Sequence, residues 1–287
     1  MTGVGSAEAP IGVFDSGLGG LTVLRALHER LPSEDLVYFG DTARVPYGTK
    51  GEKTVRAFAR QDAGLLVTRG VKMVVVACNT ASAFALDYLR EVLPVPVLGV
   101  INPGVRTALA STRGGAVGVI GTSGTIRSLK YQAGLAEAGL SETQIVAQEC
   151  PLFVPLMEEG LHAHRMTELA IAEYLAPMRA AQVDTLILGC THYPLLKDEI
   201  ARYMGPDVRL VDSADALAAA AQDRLGELGL LRADATPGRV GELSFLLSDI
   251  PWKFQEIGAR FLGKPIENMK TVGLDEMEEA GHAMEQL

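Results

Sequence analysis

Two cysteines stand in matched settings, Cys78 in VKMVVVACNTAS (71–82) and Cys190 in VDTLILGCTHYP (183–194). Each ends a β-branched run, is followed closely by a Thr, and precedes a stretch of helical character. A thiol suits proton transfer at carbon because it can change protonation state near neutrality. Its ordinary pKa of about 8.5 is expected to fall at a helix N-terminus, where N–H groups and the helix dipole favour the anion. One thiolate as base and one thiol as acid, on opposite faces of a carbon, could invert a stereocentre without a cofactor. Cys150, in QECPLF, has no such setting and reads as a buried small hydrophobe.

Strand ends must position such groups. β-branched runs at 11–14, 36–39, 71–77 and 95–100 alternate with amphipathic stretches at 21–30, 54–69 and 81–92. The alternation resumes with 116–120, 128–138, 145–147, 166–180 and 185–188. This predicts an α/β fold with mainly parallel sheets covered by helices. IGVFDSGLGG (11–20) resembles VGVIGTSGTI (117–126), just as the two cysteine segments resemble each other. The spacing from Asp15 to Cys78 is close to that from Thr122 to Cys190. A tandem duplication follows: two similar α/β domains related by pseudo-two-fold symmetry, with the active site in the cleft between them. A strand at 208–211, an Ala-rich helix at 215–228 and helical periodicity in WKFQEIGARFLG (252–263) complete the chain. That tail is expected to pack back on the first half. The first domain is therefore expected at 1–101 and 210–287, and the second at 102–209.

In parallel α/β sheets, ligands bind beyond the carboxyl ends of the strands. Four signals fall there: Asp15-Ser16, Cys78-Asn79-Thr80, Thr122-Ser123 and Cys190-Thr191-His192. Ser16, Asn79, Thr80 and Thr191 read as helix N-caps, as ligands for the carboxylates of an amino acid, or as both. Asp15 is either a cap or an ionic partner and proton carrier near Cys78. His192 is either a structural hydrogen-bonding residue or a charge that assists Cys190. GDTARVPYGTK (40–50) is a turn-rich loop after a strand, a common site-lining element. DSGLGG lacks the GK[ST] of a phosphate loop and the spacing of a dinucleotide fingerprint. No CxxC or HxxxH pair is present, so no metal is expected.

The composition narrows the class. At 287 residues, 48% hydrophobic and 21% charged, the chain suits about two globular domains. It needs no staple from disulfides or metal. A net charge of -9 argues against nucleic acid as the main partner, yet allows a locally positive cleft. Three cysteines fit a reducing compartment better than a disulfide framework. MTGVGSAEAP lacks the basic and apolar regions of a signal peptide. The apolar run 71–78, with Lys72 inside it, falls well short of a membrane span. A cytoplasmic protein with no membrane association is expected.

FDSGLGGLTV (14–23), YFGDTARVPYGTK (38–50), ACNTASA (77–83), GTSGTIRS (121–128), CPLFVPLMEEG (150–160) and LGCTHYPLL (188–196) resemble, in this order, the glutamate racemases of the aspartate/glutamate racemase group. The first two motifs are the more specific, because the cysteine motifs are shared with aspartate and hydantoin racemases. The resemblance implies a second domain inserted into the first. It implies interconversion of L- and D-glutamate by 1,1-proton transfer without pyridoxal phosphate, metal or other cofactor, supplying D-glutamate for peptidoglycan. It further implies that Cys78 takes the proton from D-glutamate and Cys190 from L-glutamate, with Asp15 and His192 completing the catalytic set. Substrate contacts would come from Asp15, Ser16, Tyr47, Gly48, Asn79, Thr80, Thr122, Thr125, Thr191 and His192. Asp41 and Glu158 match acidic positions near the site, and a homodimer is implied. An aspartate or hydantoin racemase of the same fold is the alternative, because sequence does not show the side-chain pocket. A cysteine hydrolase built on Cys190 and His192 leaves Cys78 idle and places its base poorly. A binding protein that kept the fold leaves both thiols unused.

Overall fold

The computed structural model describes residues 6–233, 238–252 and 254–284. Residues 1–5, 234–237 and 285–287 of the expected first domain, and Lys253 of the expected tail helix, lie outside them. The first half runs β1 (Ile11–Asp15), α1 (Leu21–Arg30), β2 (Leu36–Gly40), α2 (Glu52–Thr68), β3 (Met73–Val76), α3 (Asn79–Val92) and β4 (Val97–Gly99). After α4 (Ile101–Ser111) come β5 (Ala116–Gly121), α5 (Ser123–Arg127), α6 (Lys130–Glu137), β6 (Ile145–Glu149) and α7 (Phe153–Glu158). Next are α8 (Arg165–Ala180), β7 (Val183–Gly189), α9 (Lys197–Met204) and β8 (Arg209–Asp212). The chain closes through α10 (Ser213–Glu227), β9 (Leu243–Leu247), α11 (Phe254–Leu262), β10 (Met269–Thr271) and α12 (Leu274–Met284).

The strands form a six-stranded sheet, β10-β9-β2-β1-β3-β4, and a four-stranded sheet, β6-β5-β7-β8. Every pairing is parallel. The order β2-β1-β3-β4 in one sheet recurs as β6-β5-β7-β8 in the other, so the repeat read from the sequence is a repeat of topology. β9 and β10 extend only the first sheet, beyond β2. β8 is the outer strand of the second sheet, which therefore runs on to Asp212, past the boundary placed after residue 209.

Local chemistry explains these elements. β1 and β3 are buried along their whole length, as central parallel strands covered on both faces must be. α1 buries Leu21, Leu24 and Leu27 on one face, which packs against α10 and α11. Truncating Leu24, which has no exposed surface, to alanine costs about 2–5 kcal/mol by the usual core scale. The tail does pack back on the first half, with α11 against α1 and α12 against α2. The helical stretch expected at 128–138 is α6, which begins only after Leu129, whose φ of 59° separates it from the preceding α5. Lys72, inside its apolar run, is fully buried and ion-paired with Glu34 at 2.5 Å.

Candidate active site

Cys78 directly follows the segment after β3 and Cys190 directly follows β7, the third strand of each repeat. Both thiols line one cavity of about 330 Å³, a volume ordinary for a small-molecule site. Ser16, Tyr47, Gly48, Asn79, Thr80, Thr122, Thr191, His192 and Glu158 line it as well. A larger cavity of about 420 Å³ lies between α4 and α10, but its charged lining is Arg90, Arg106, Arg224, Asp223 and Glu227, with no thiol or imidazole. The smaller cavity is the one equipped for chemistry. Among the described residues, no three His, Cys, Asp or Glu side chains are grouped to hold a metal ion.

Three residues drawn from the sequence stand behind the cavity wall. Asp15 is fully buried and accepts the Gly17 N–H at 3.0 Å and the Thr191 hydroxyl at 3.4 Å. Thr125 is fully buried and bonds the hydroxyls of Thr80 at 3.2 Å and Thr122 at 3.0 Å. Asp41 accepts the hydroxyls of Tyr47 and Ser248 and pairs with Arg44 at 2.7 Å.

The Cys78 side is built on α3. Cys78 itself is the N-cap, accepting the Ala81 N–H at 3.4 Å, so Asn79 and Thr80 are first-turn residues rather than caps. The α1 cap is Gly20, not Ser16, while Thr122 does cap α5 through Thr125 N. Burial, and then the nearby Asp15 carboxylate, push the Cys78 thiol up to about 12. This reverses the expected depression, because loss of water outweighs the Ala81 and Ser16 hydrogen bonds. Asp15 is itself raised, by burial above all.

The Cys190 side is built differently. A short 3₁₀ turn, Tyr193–Leu196, follows in place of an α-helix start. His192 Nδ1 lies 3.9 Å from Cys190 Sγ, and its Nε2 lies 3.1 Å from Glu158 Oε1. Burial opposes the imidazolium, yet the bonds to Cys190 and Glu158 prevail and raise His192 to about 10. It is therefore charged at neutral pH. The DSGLGG turn presses against this pair: a Cβ on Gly19 would collide with Thr191 Oγ1 and the His192 ring. Across the cleft, a Cβ on Gly48 would strike Thr122 at 2.7 Å. Only glycine permits these approaches between the halves.

Several contributors had no sequence signal. Asp62, on α2, is fully buried and bonds the Tyr47 hydroxyl at 2.8 Å and Arg44 at 3.0 Å. Burial, and then the neighbouring Asp41, raise Asp62 well above its ordinary value, with Arg44 opposing the rise. Asp62 helps to hold Tyr47 on the wall. Phe261, on the tail helix α11, packs edge-on against His192 with ring centroids 5.1 Å apart. The Tyr131 hydroxyl, on α6, donates to Asn79 Oδ1 at 2.8 Å. These residues lie far along the chain from what they touch, so no motif announces them.

Fold and site together define a racemase architecture: two repeated α/β halves with a thiol from each in one cavity. Residues 11–221 match the family described as Asp/Glu/Hydantoin racemase, and the chain belongs to that family. It is accordingly an isomerase, an amino-acid racemase. A curated glutamate racemase from Syntrophus aciditrophicus is 49% identical over 265 residues, covering 92% of this chain and 97% of the relative. A glutamate racemase structure from Francisella tularensis in complex with D-glutamate is 39% identical with a TM-score of 0.86, covering 94% of this chain and 99% of that one. A Thermus thermophilus glutamate racemase in complex with beta-chloro-D-alanine is 45% identical with a TM-score of 0.83, over the same shares. No described helix is long and apolar enough to cross a membrane.

Proposed function

We propose that the protein is a glutamate racemase that interconverts L- and D-glutamate by two-base proton transfer between Cys78 and Cys190. The observation that carries the reading is the pair of thiols at equivalent strand ends of the two repeats, lining one cavity. The choice of glutamate rests on relatives of that name, which this chain matches over nearly its full length.

Each step follows from the surroundings. Cys190, as thiolate beside the charged His192, removes the α-proton of L-glutamate and becomes a thiol. The electron pair left on carbon takes the proton of the Cys78 thiol on the opposite face, giving D-glutamate and a Cys78 thiolate. D-glutamate reverses both transfers. Asp15 beneath Cys78 and the Glu158–His192 pair beside Cys190 complete the proton inventory. Ser16, Tyr47, Gly48, Asn79, Thr80, Thr122 and Thr191 hold the substrate, with Thr125 behind them and Asp41 bracing Tyr47. No metal or organic cofactor enters the scheme. The two halves act as domains, residues 1–101 with 210–287 and residues 102–209, with β8 carrying the second sheet across the boundary. The setting is cytoplasmic, the assembly a homodimer, and the product D-glutamate for peptidoglycan.

The test is optical. The purified protein should abolish the circular dichroism of either glutamate enantiomer and leave aspartate unchanged. Turnover of aspartate without turnover of glutamate would replace the substrate assignment.

A further inference from the structure

Asn79 follows Cys78 in the first turn of α3, is 2% exposed and lines the cavity. Its Oδ1 accepts the Tyr131 hydroxyl, while its Nδ2 is buried with no hydrogen-bond partner among the described residues. Tyr131 comes from the opposite half and is fully buried. Its ring is seated between two glycines: a Cβ on Gly104 or on Gly189 would each stand 3.3 Å from a ring carbon. Gly189 is the residue before Cys190, so Tyr131 touches the second thiol's strand while bonding the first thiol's neighbour.

An amide's oxygen and nitrogen differ little in shape, so its orientation is set by its partners. If Asn79 were turned over, Nδ2 would donate to the phenol oxygen and Oδ1 would face the cavity. The phenol proton would then be left without an acceptor in a dry site, which is worse than leaving a donor where a ligand binds.

We propose that Tyr131 is a positioning residue for racemisation: reaching across the cleft, it locks Asn79 with its NH₂ toward the cavity, so that the site presents a donor to a substrate carboxylate. Burial raises the Tyr131 pKa, so the phenol keeps its proton and goes on donating. The inference rests on the glutamate reading above, and wild-type turnover tests that reading alone. The comparison of variants with wild type tests this one, with whichever of glutamate or aspartate wild type turns over.

The experiment is a double-mutant cycle on Tyr131→Phe and Asn79→Ala. Tyr131→Phe is expected to raise KM about tenfold in both directions while kcat changes less than about threefold, the pattern of lost uniform binding. On the Asn79→Ala background the same change is expected to do nothing further to KM. Asn79→Asp, which keeps an acceptor for the Tyr131 hydroxyl, should bind more weakly than Asn79→Ala because it offers the substrate carboxylate a second acceptor in place of a donor. A Tyr131→Phe enzyme with wild-type KM, effects that simply add, or an Asn79→Asp enzyme that binds as wild type does would each overturn the proposal.

Discussion

Cys78 and Cys190 occupy the same position in two sheets of the same strand order, yet their surroundings diverge. Cys78 caps a 14-residue helix in a dry setting over a carboxylate, and its pKa is pushed up to about 12. Cys190 precedes a four-residue 3₁₀ turn and faces an imidazole held at its far nitrogen by Glu158. At neutral pH one side keeps its proton on sulfur and the other keeps one on the ring. The duplication explains where the thiols are; what each half placed around its thiol explains which proton is ready to move. A symmetric frame therefore carries an asymmetric resting state, suited to taking a proton at Cys190 and giving one at Cys78.

The strongest way to break this comparison is to remove each thiol in turn. Cys78→Ala and Cys190→Ala should each lose at least about 10³-fold in racemisation, within the usual range for a positioned acid or base. Their residual chemistry should differ. In deuterated water Cys78→Ala should exchange the α-hydrogen of L-glutamate only, and Cys190→Ala that of D-glutamate only, read by NMR. Next in size is His192→Asn, with an expected loss of about 10²-fold. Wild-type kcat/KM should fall as pH rises through about 10, when His192 loses its proton, and the variant should lack that limb. The same shift bears on stability. A folded pKa above the unfolded value contributes fully below the unfolded value of about 6.5 and is lost as pH rises through about 10. Denaturation midpoints of wild type and His192→Asn should therefore converge above that pH.

Smaller effects sharpen the picture of the wall. Asp62→Asn keeps the shape of the acid and an acceptor for the Tyr47 hydroxyl, and should stay within about threefold of wild-type kcat/KM. Asp62→Ala, which removes one of the two carboxyl partners of the Tyr47 hydroxyl and leaves a gap behind it, should lose about tenfold. Equal losses in the two would show that Asp62 acts as a charge. The smallest effect is expected for Cys150→Ala. That thiol is fully buried, donates to Gln148 O at 3.7 Å and does not line the cavity, so activity should change less than about twofold.

Much of this arrangement was legible because parallel strands place chemistry at their carboxyl ends. A β-branched run ending in Cys therefore locates both thiols, and the repeated DSGLGG-like turn locates their neighbours. Caps were misread because Cys78 takes the role assigned to Asn79 and Thr80, a choice made by backbone geometry one residue away. β9 and β10 gave no signal. β10 is only three residues long, and β9 gains its partner β2 from a strand distant in sequence. Asp62 lies mid-helix and Tyr131 in the first turn of α6, where a polar residue usually means a solvated face, and only packing shows that they support Tyr47 and Asn79. The direction of the Cys78 shift was out of reach for the same reason, since burial is set by the whole fold.

The central claim is that two different bases work on opposite faces of one carbon. It is tested most directly by racemising L-glutamate in deuterated water at low conversion and measuring the α-position of both enantiomers. The account predicts deuterium in every D-glutamate formed and almost none in the L-glutamate that remains. D-glutamate that kept the substrate's hydrogen, or equal labelling of the two enantiomers, would contradict it.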